Sequence, residues 1–307
     1  MAAPVSGGLL PEGGPVLVTG GSGQVATSLE RLGGPRIRRV GRPQLDFDRP
    51  DSIAETFRSV APVAVVNAAA WTAVDAAENE PEGAARANRD APEILARLCA
   101  EAGIPLIHIS TDYVFDGDKG APYTEADPTS PTGVYGRTKA EGEQAALAAN
   151  PRTVVLRTSW VYSATGKNFV RTMINAGEKN PVLRVVGDQQ GSPTSADDLA
   201  EAVLRIVALI ERDGWKPDYA GIFHASGTGE TTWHGLAVAA LERAAHHGRT
   251  MPDVQAIRTA DWPTPARRPA DSRLDCDKLH RVFGVRLPEW RTSLDRTVDR
   301  LLSPAAS

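Results

Sequence analysis

The sequence predicts an α/β fold, a doubly wound parallel sheet of Rossmann type with a smaller, mixed α/β C-terminal substrate lobe. Three observations predict it. Short apolar runs bounded by turn residues alternate with longer stretches of helical period. The runs are continuously apolar rather than alternating, so both faces of each strand are buried, as in a parallel sheet covered by crossover helices. A glycine-rich turn follows the first run directly and opens the first helix.

The elements follow in chain order. Residues 1–14 are rich in Gly, Pro and Ala and carry little that can be buried, which predicts a loose N-terminal extension with the fold beginning at Pro15. The strand runs are PVLVT (15–19), RIRRV (36–40), VAVVN (63–67), PLIHIS (105–110) and TVVLRTS (153–159). Helices between them are clearest over 82–102, stopped by Gly103, and over 133–149, stopped before Asn150-Pro151. After about residue 160 the rhythm changes. A helical piece at 168–178 precedes LRVVGDQQGSPT (183–194), and an apolar helix over 196–211 carries Asp197 and Asp198 in its first turn. The strand GIFHAS (221–226), a helix over 232–247, a loop dense in Pro and Arg, and a short terminal helix complete the chain. The expected division is a dinucleotide-binding domain over 15–160, with 195–215 packing back onto it, and a substrate lobe formed by 161–194 and 216–307.

Composition narrows the partners. With 307 residues, 41% hydrophobic, the chain can bury a large core. A net charge of -4 provides no excess of cations for clamping nucleic acid or an anionic membrane. Cys99 and Cys276 have neither CxxC nor Cys/His spacing, so no zinc site and no disulfide framework is expected. The first residues lack a basic, then apolar, leader, and no apolar run reaches the length of a membrane span, which predicts an unanchored cytoplasmic protein.

The turn Gly20-Gly21-Ser22-Gly23-Gln24-Val25-Ala26 suits a dinucleotide pyrophosphate, which needs backbone N–H groups at a helix start with no side chain in the way. At the end of the second strand, where NAD-preferring proteins place a carboxylate on the ribose, the chain reads Val40-Gly41-Arg42. The guanidinium of Arg42, with Arg39 as a second candidate, fits a 2′-phosphate and points to NADPH, NADH remaining open; the alternative is arginines that solvate a strand end. Asp46, before Phe47, is a candidate acceptor for the adenine amino group. Ala68, Ala69, Ala70 and Thr72 follow the third strand, where small residues let the chain pass close to a cofactor or simply pack a strand end tightly.

Tyr135 and Lys139 are four residues apart, which places them on one helix face. A cation beside a phenol favours the phenolate and eases proton exchange near neutrality. Thr111 stands at the end of the preceding strand, in STDYVFDG (110–117), where doubly wound proteins hold ligands, and offers a hydroxyl to a substrate carbonyl. The trio describes a ketone-reducing site: Thr111 fixes the oxygen, Tyr135 protonates it, and Lys139 stabilises the phenolate and holds the nicotinamide ribose.

These elements together resemble the extended short-chain dehydrogenase/reductase family. The ordered set STDYVFDG, YGRTKAEGE, RTSWVY, GKNFV, DQQGSPT and PTPARRPADSRLD, over about 15–301, is similar to its dTDP-4-dehydrorhamnose reductase branch. The resemblance implies NADPH-dependent reduction of a nucleotide-activated 4-ketosugar by a monomer or homodimer. It gives Thr111, Tyr135 and Lys139 the catalytic roles, brings Asp112, Trp160 and Asn168 to the sugar, and sets Gln189 and the Arg267-Arg268 segment along the nucleotide. Some members bridge dimers with magnesium through glutamates; Ser28 stands at the position of one, so no metal is expected here. The rival readings are a nucleotide-sugar epimerase or dehydratase that keeps its NAD bound, and a non-catalytic regulatory subunit that binds dinucleotide without turnover.

Overall fold

The computed structural model describes residues 9–303. The first half of the main sheet is built by β1 (Val16–Thr19), α1 (Gln24–Gly33), β2 (Ile37–Val40), α2 (Pro50–Val60) and β3 (Ala64–Asn67). Next come α3 (Val74–Asn79), α4 (Pro81–Ala85), a π-helical turn over Arg86–Asp90, α5 (Ala91–Ala102), β4 (Leu106–Thr111), α6 (Val134–Ala149) and β5 (Thr153–Thr158). The later chain forms β6 (Val161–Tyr162), α7 (Phe169–Gly177), β7 (Val182–Val186), β8 (Gln190–Gly191), β9 (Thr194–Ser195) and α8 (Ala196–Asp213). It ends with β10 (Gly221–His224), β11 (Thr231–Thr232), α9 (Trp233–Ala245), β12 (Asp253–Ile257), α10 (Asp277–Phe283) and α11 (Trp290–Leu302).

Six strands form one parallel sheet in the order β10-β5-β4-β3-β1-β2. Alternate side chains of the same strand feed opposite cores. Val16, Val18, Ala64, Val66 and Ile107 enter one cluster, capped by Leu199, Val203, Ile206 and Ile210 of α8. Leu17, Val65 and Leu106 enter the other, capped by Ile53 of α2 and by Leu95 and Cys99 of α5. Burying a side chain of this size contributes about 1.5–3 kcal/mol, so neither face tolerates a polar register and the runs must be apolar throughout. The chain leaves β1 outward to β2 and returns across it to β3. The crevice at the carboxyl ends of β1 and β3 is therefore the topological switch point, where open α/β sheets hold ligands.

Two expectations need correction and a third is refined. Residues 9–14 are tied down rather than loose: the buried Arg36 guanidinium donates to the carbonyls of Pro11 and Gly14 and pairs with Glu211, and Leu10 enters the core. Residues 1–8 of the expected extension lie outside the described residues. The helix read over 82–102 starts at Pro81 and ends at Gly103 as expected, but carries a π-turn over Arg86–Asp90, held where the Asn88 amide bonds the backbone of Trp71. Finally, residues 221–224 do not build a separate lobe. β10 extends the main sheet beside β5, and Leu279, Phe283, Val285 and Leu287 pack into the same core.

The remaining late elements do form a second packing centre. Tyr162, Val170, Ile174, Leu236, Leu294 and Val298 bring α7, α9 and α11 together, and the parallel pair β7–β12 packs through Leu183 and Val185 on Ala237 and Leu241. No helix among the described residues is long and apolar enough to cross a membrane.

Candidate active site

The glycine turn joins β1 to α1 at the switch point. Gly23, extended, precedes the first turn of α1 without any side-chain cap, and no acidic residue lies in that turn. The orphan N–H groups of the helix start, and the positive end of its dipole, are thus left for an anion. Gly41 packs directly on this turn: a Cβ there would lie 2.6 Å from Gly21 Cα. The glycine in place of an acidic residue is therefore required by packing, whichever cofactor the site prefers.

A cleft of about 830 Å³ opens from the turn, large enough for a dinucleotide with a second ligand. Gly20, Gly21, Gly23, Gln24 and Val25 line it, as do Arg42, Phe47, Ala68, Ala69, Ala70 and Thr72. The same cleft takes in Thr111, Asp112, Tyr135, Lys139 and Trp160. An uncapped helix start, close-packed glycines and a run of alanines fit a dinucleotide without rearrangement.

Some candidates lie elsewhere. Asp46 is outside the cleft wall; its carboxylate accepts from the Asp48 N–H and from Arg42, which hold it below the usual carboxylate range. Arg39 donates to the Gly21 carbonyl at 2.6 Å and to Glu30, bracing the turn from outside. Asn168 caps α7 by accepting from the Arg171 N–H and donates to the Ser163 carbonyl. The Gln189 amide donates to Thr259, and Arg268 makes a bidentate pair with Asp75 at 2.5 and 2.6 Å. The exposed Arg267 faces Asp118. Each of these last four has a structural partner and lies off the cleft wall.

At the chemical centre, β4 delivers Thr111 and Asp112, and α6 delivers Tyr135 and Lys139. The helix approaches closely because residue 136 is glycine: a Cβ there would overlap the Tyr113 carbonyl oxygen. Thr111 and Tyr135 line the same cleft, and the Thr111 hydroxyl donates to Asp112 Oδ1 at 3.0 Å. Burial pushes the Tyr135 phenol up to about 12, with the Asp112 charge adding to the rise. Lys139 Nζ donates to the Ile109 carbonyl at 2.7 Å, and burial brings it down to about 8. The burial of Tyr135 favours the neutral phenol, the form that donates a proton. Asp112, fully buried with Oδ2 lacking a partner, is raised by burial to about 6.

A family model described as the RmlD substrate binding domain matches residues 14–303. The chain belongs to that family. It is 47% identical over 287 residues to a dTDP-4-dehydrorhamnose reductase of Sinorhizobium fredii, covering 93% of this chain and 97% of the relative. Its fold is similar to the crystal structure of a dTDP-4-dehydrorhamnose reductase from Clostridium acetobutylicum, with a TM-score of 0.85 and 35% identity over 94% of this chain and 100% of that one. It is equally similar, at a TM-score of 0.85 and 29% identity, to a dTDP-4-dehydrorhamnose reductase from Bacillus anthracis in complex with NADP, over 93% and 99% of the two chains.

The structure of this RmlD-family chain also brings forward residues that sequence reasoning missed. Trp233 lines the cleft and stacks on Trp160 with ring centroids 3.7 Å apart; a Thr-Thr-Trp helix start carried no signal for it. Trp160 itself has φ +48°, a strained setting for a non-glycine residue, which aims the indole at Trp233. Lys167 also lines the cleft. The Ser28 hydroxyl donates to Asp197, whose carboxylate also pairs with Arg31 and Arg300, so protein cations already answer its charge.

Proposed function

We propose that this chain reduces the 4-keto group of dTDP-4-dehydrorhamnose with NADPH, giving dTDP-L-rhamnose for deoxysugar and cell-surface polysaccharide synthesis in the cytoplasm. One observation carries the reading: Thr111, Tyr135 and Lys139 share a single cleft with an uncapped glycine turn, in a member of the RmlD family. The dinucleotide half then comprises 15–160 with α8 and β10, and the sugar is covered by the α7–α9–α11 side.

Bound NADPH supplies a hydride to the carbonyl carbon. The Thr111 hydroxyl turns from Asp112 to the carbonyl oxygen, a rotation about one bond. Tyr135, neutral because it is buried, transfers its phenolic proton to the same oxygen as negative charge develops there. The Lys139 ammonium then faces a phenolate, an attraction that is strong in so dry a site. Asp112 and the Trp160 indole contribute a polar and an apolar wall to the sugar.

Arg42 reads the 2′-phosphate in this account. It is two-thirds exposed and now pairs with Asp46 and Asp48, so a phosphate would replace a carboxylate that solvent already screens. Arg42→Ala should weaken NADPH much more than NADH in a binding titration. Equal weakening of the two would remove Arg42 from that role.

The reading is tested by supplying dTDP-4-dehydrorhamnose with NADPH and following absorbance loss and product. Consumption of NADPH in proportion to dTDP-L-rhamnose is expected. Product formed without net consumption would indicate an epimerase or dehydratase, and cofactor binding without any turnover a regulatory subunit.

A further inference from the structure

Behind Lys139 lies a buried chain of polar side chains that the mechanism does not use. His108 projects from β4 and is fully buried, with Nε2 at 3.4 Å from Lys139 Nζ. Its Nδ1 lies 3.0 Å from the side-chain nitrogen of Asn67, also fully buried. Asn67 Oδ1 accepts from the Thr19 hydroxyl at 2.6 Å and from the Ala69 N–H at 3.3 Å. Thr19 is the last residue of β1, immediately before the glycine turn.

The network fixes the imidazole tautomer. With two donors on its oxygen, Asn67 presents its NH2 group to His108, so Nδ1 accepts and the ring proton sits on Nε2. An Nε2–H facing an ammonium is a donor facing a donor. The 3.4 Å spacing fits that arrangement, whereas the same Nζ approaches the Ile109 carbonyl to 2.7 Å.

We propose that His108 is a positioning residue for Lys139: held by Asn67 as the Nε2–H tautomer, it steers the lysine onto the Ile109 carbonyl and disfavours its ammonium form. The proposal rests on the reductase reading for its consequence in turnover, but not for the tautomer itself. The other charged or titratable groups around Lys139 are accounted for. Glu143, one turn along α6, favours the ammonium but is shared with the Arg157 guanidinium from β5. Tyr135, one turn back, is neutral, and Asp112 from the end of β4 acts on Tyr135. Buried and facing the lysine charge, His108 is held well below the ordinary imidazole range, so it stays neutral and the Nε2–H persists throughout the working pH range.

The sign of the effect follows. Turnover needs the ammonium and should fall as pH rises through about 8, where Lys139 discharges. In His108→Gln the amide can turn its oxygen to Nζ and accept from it. The ammonium is then favoured, and the alkaline limb of kcat should move up by about one pH unit with KM little changed. A limb that stays in place or moves down would overturn the proposal. Nitrogen NMR of the wild-type imidazoles gives a second arm, which holds if the variant does not fold or if the nucleotide sugar is not the substrate. His108, identified by loss of its signals in His108→Gln or by sequential assignment, should show the proton on Nε2. A proton on Nδ1 would overturn the proposal and leave the reductase reading standing.

Discussion

Tyr135→Phe is expected to lower kcat by about a hundredfold or more, as for loss of a general acid, while NADPH binding stays nearly intact. The phenol is buried in the cleft that also holds Thr111, so removing its oxygen deletes the proton donor and little else. Phe keeps the ring in place against Tyr113, whose ring meets it edge-on at 5.5 Å. Binding titration and single-turnover kinetics separate the two effects. Unchanged turnover would remove Tyr135 from the mechanism, and an equal loss of binding would make it a structural residue.

The largest effect on stability is expected at Glu143. Its carboxylate accepts from Arg157 Nε at 2.9 Å and Nη2 at 2.6 Å, and from the Ser110 hydroxyl at 2.5 Å. Both members of the ion pair are essentially inaccessible to water. Glu143→Ala leaves the Arg157 charge buried without a partner and should cost about 3–5 kcal/mol in denaturant unfolding. Replacing both residues with apolar side chains of similar volume should recover much of that loss, because the uncompensated charge goes with the pair. A cost below about 1 kcal/mol for the single variant would show that water reaches Arg157. The pair joins α6 to β5 one turn beyond Lys139, so it also holds the catalytic helix against the sheet.

Much of this architecture is legible in the chain. Period and turn chemistry locate the strands because both sheet faces are buried, and a glycine turn between the first strand and first helix can be read without coordinates. Tyr135 and Lys139 are found because four residues is a helical repeat. The misses have physical reasons. Residues 9–14 look loose because the group that orders them, Arg36, is distant in sequence and acts through backbone carbonyls. β10 reads as part of another lobe because an edge strand joining after a long excursion leaves no local mark. Asp46, Asn168, Gln189 and Arg268 have the right chemistry for ligands, and the fold places each off the cleft wall beside a protein partner, which no local pattern reports. His108 carries no signal in the sequence, since one histidine in an apolar strand reads as core until Asn67 and Lys139 are seen on either side of it.

The most direct test of the account is the fate of the transferred hydrogen. With NADPH deuterated at the reactive C4 position of the nicotinamide and dTDP-4-dehydrorhamnose as substrate, one deuterium per product is predicted at C4 of the sugar, with one NADPH oxidised for each. Product carrying no deuterium, or formed while the NADPH remains unoxidised, would contradict it.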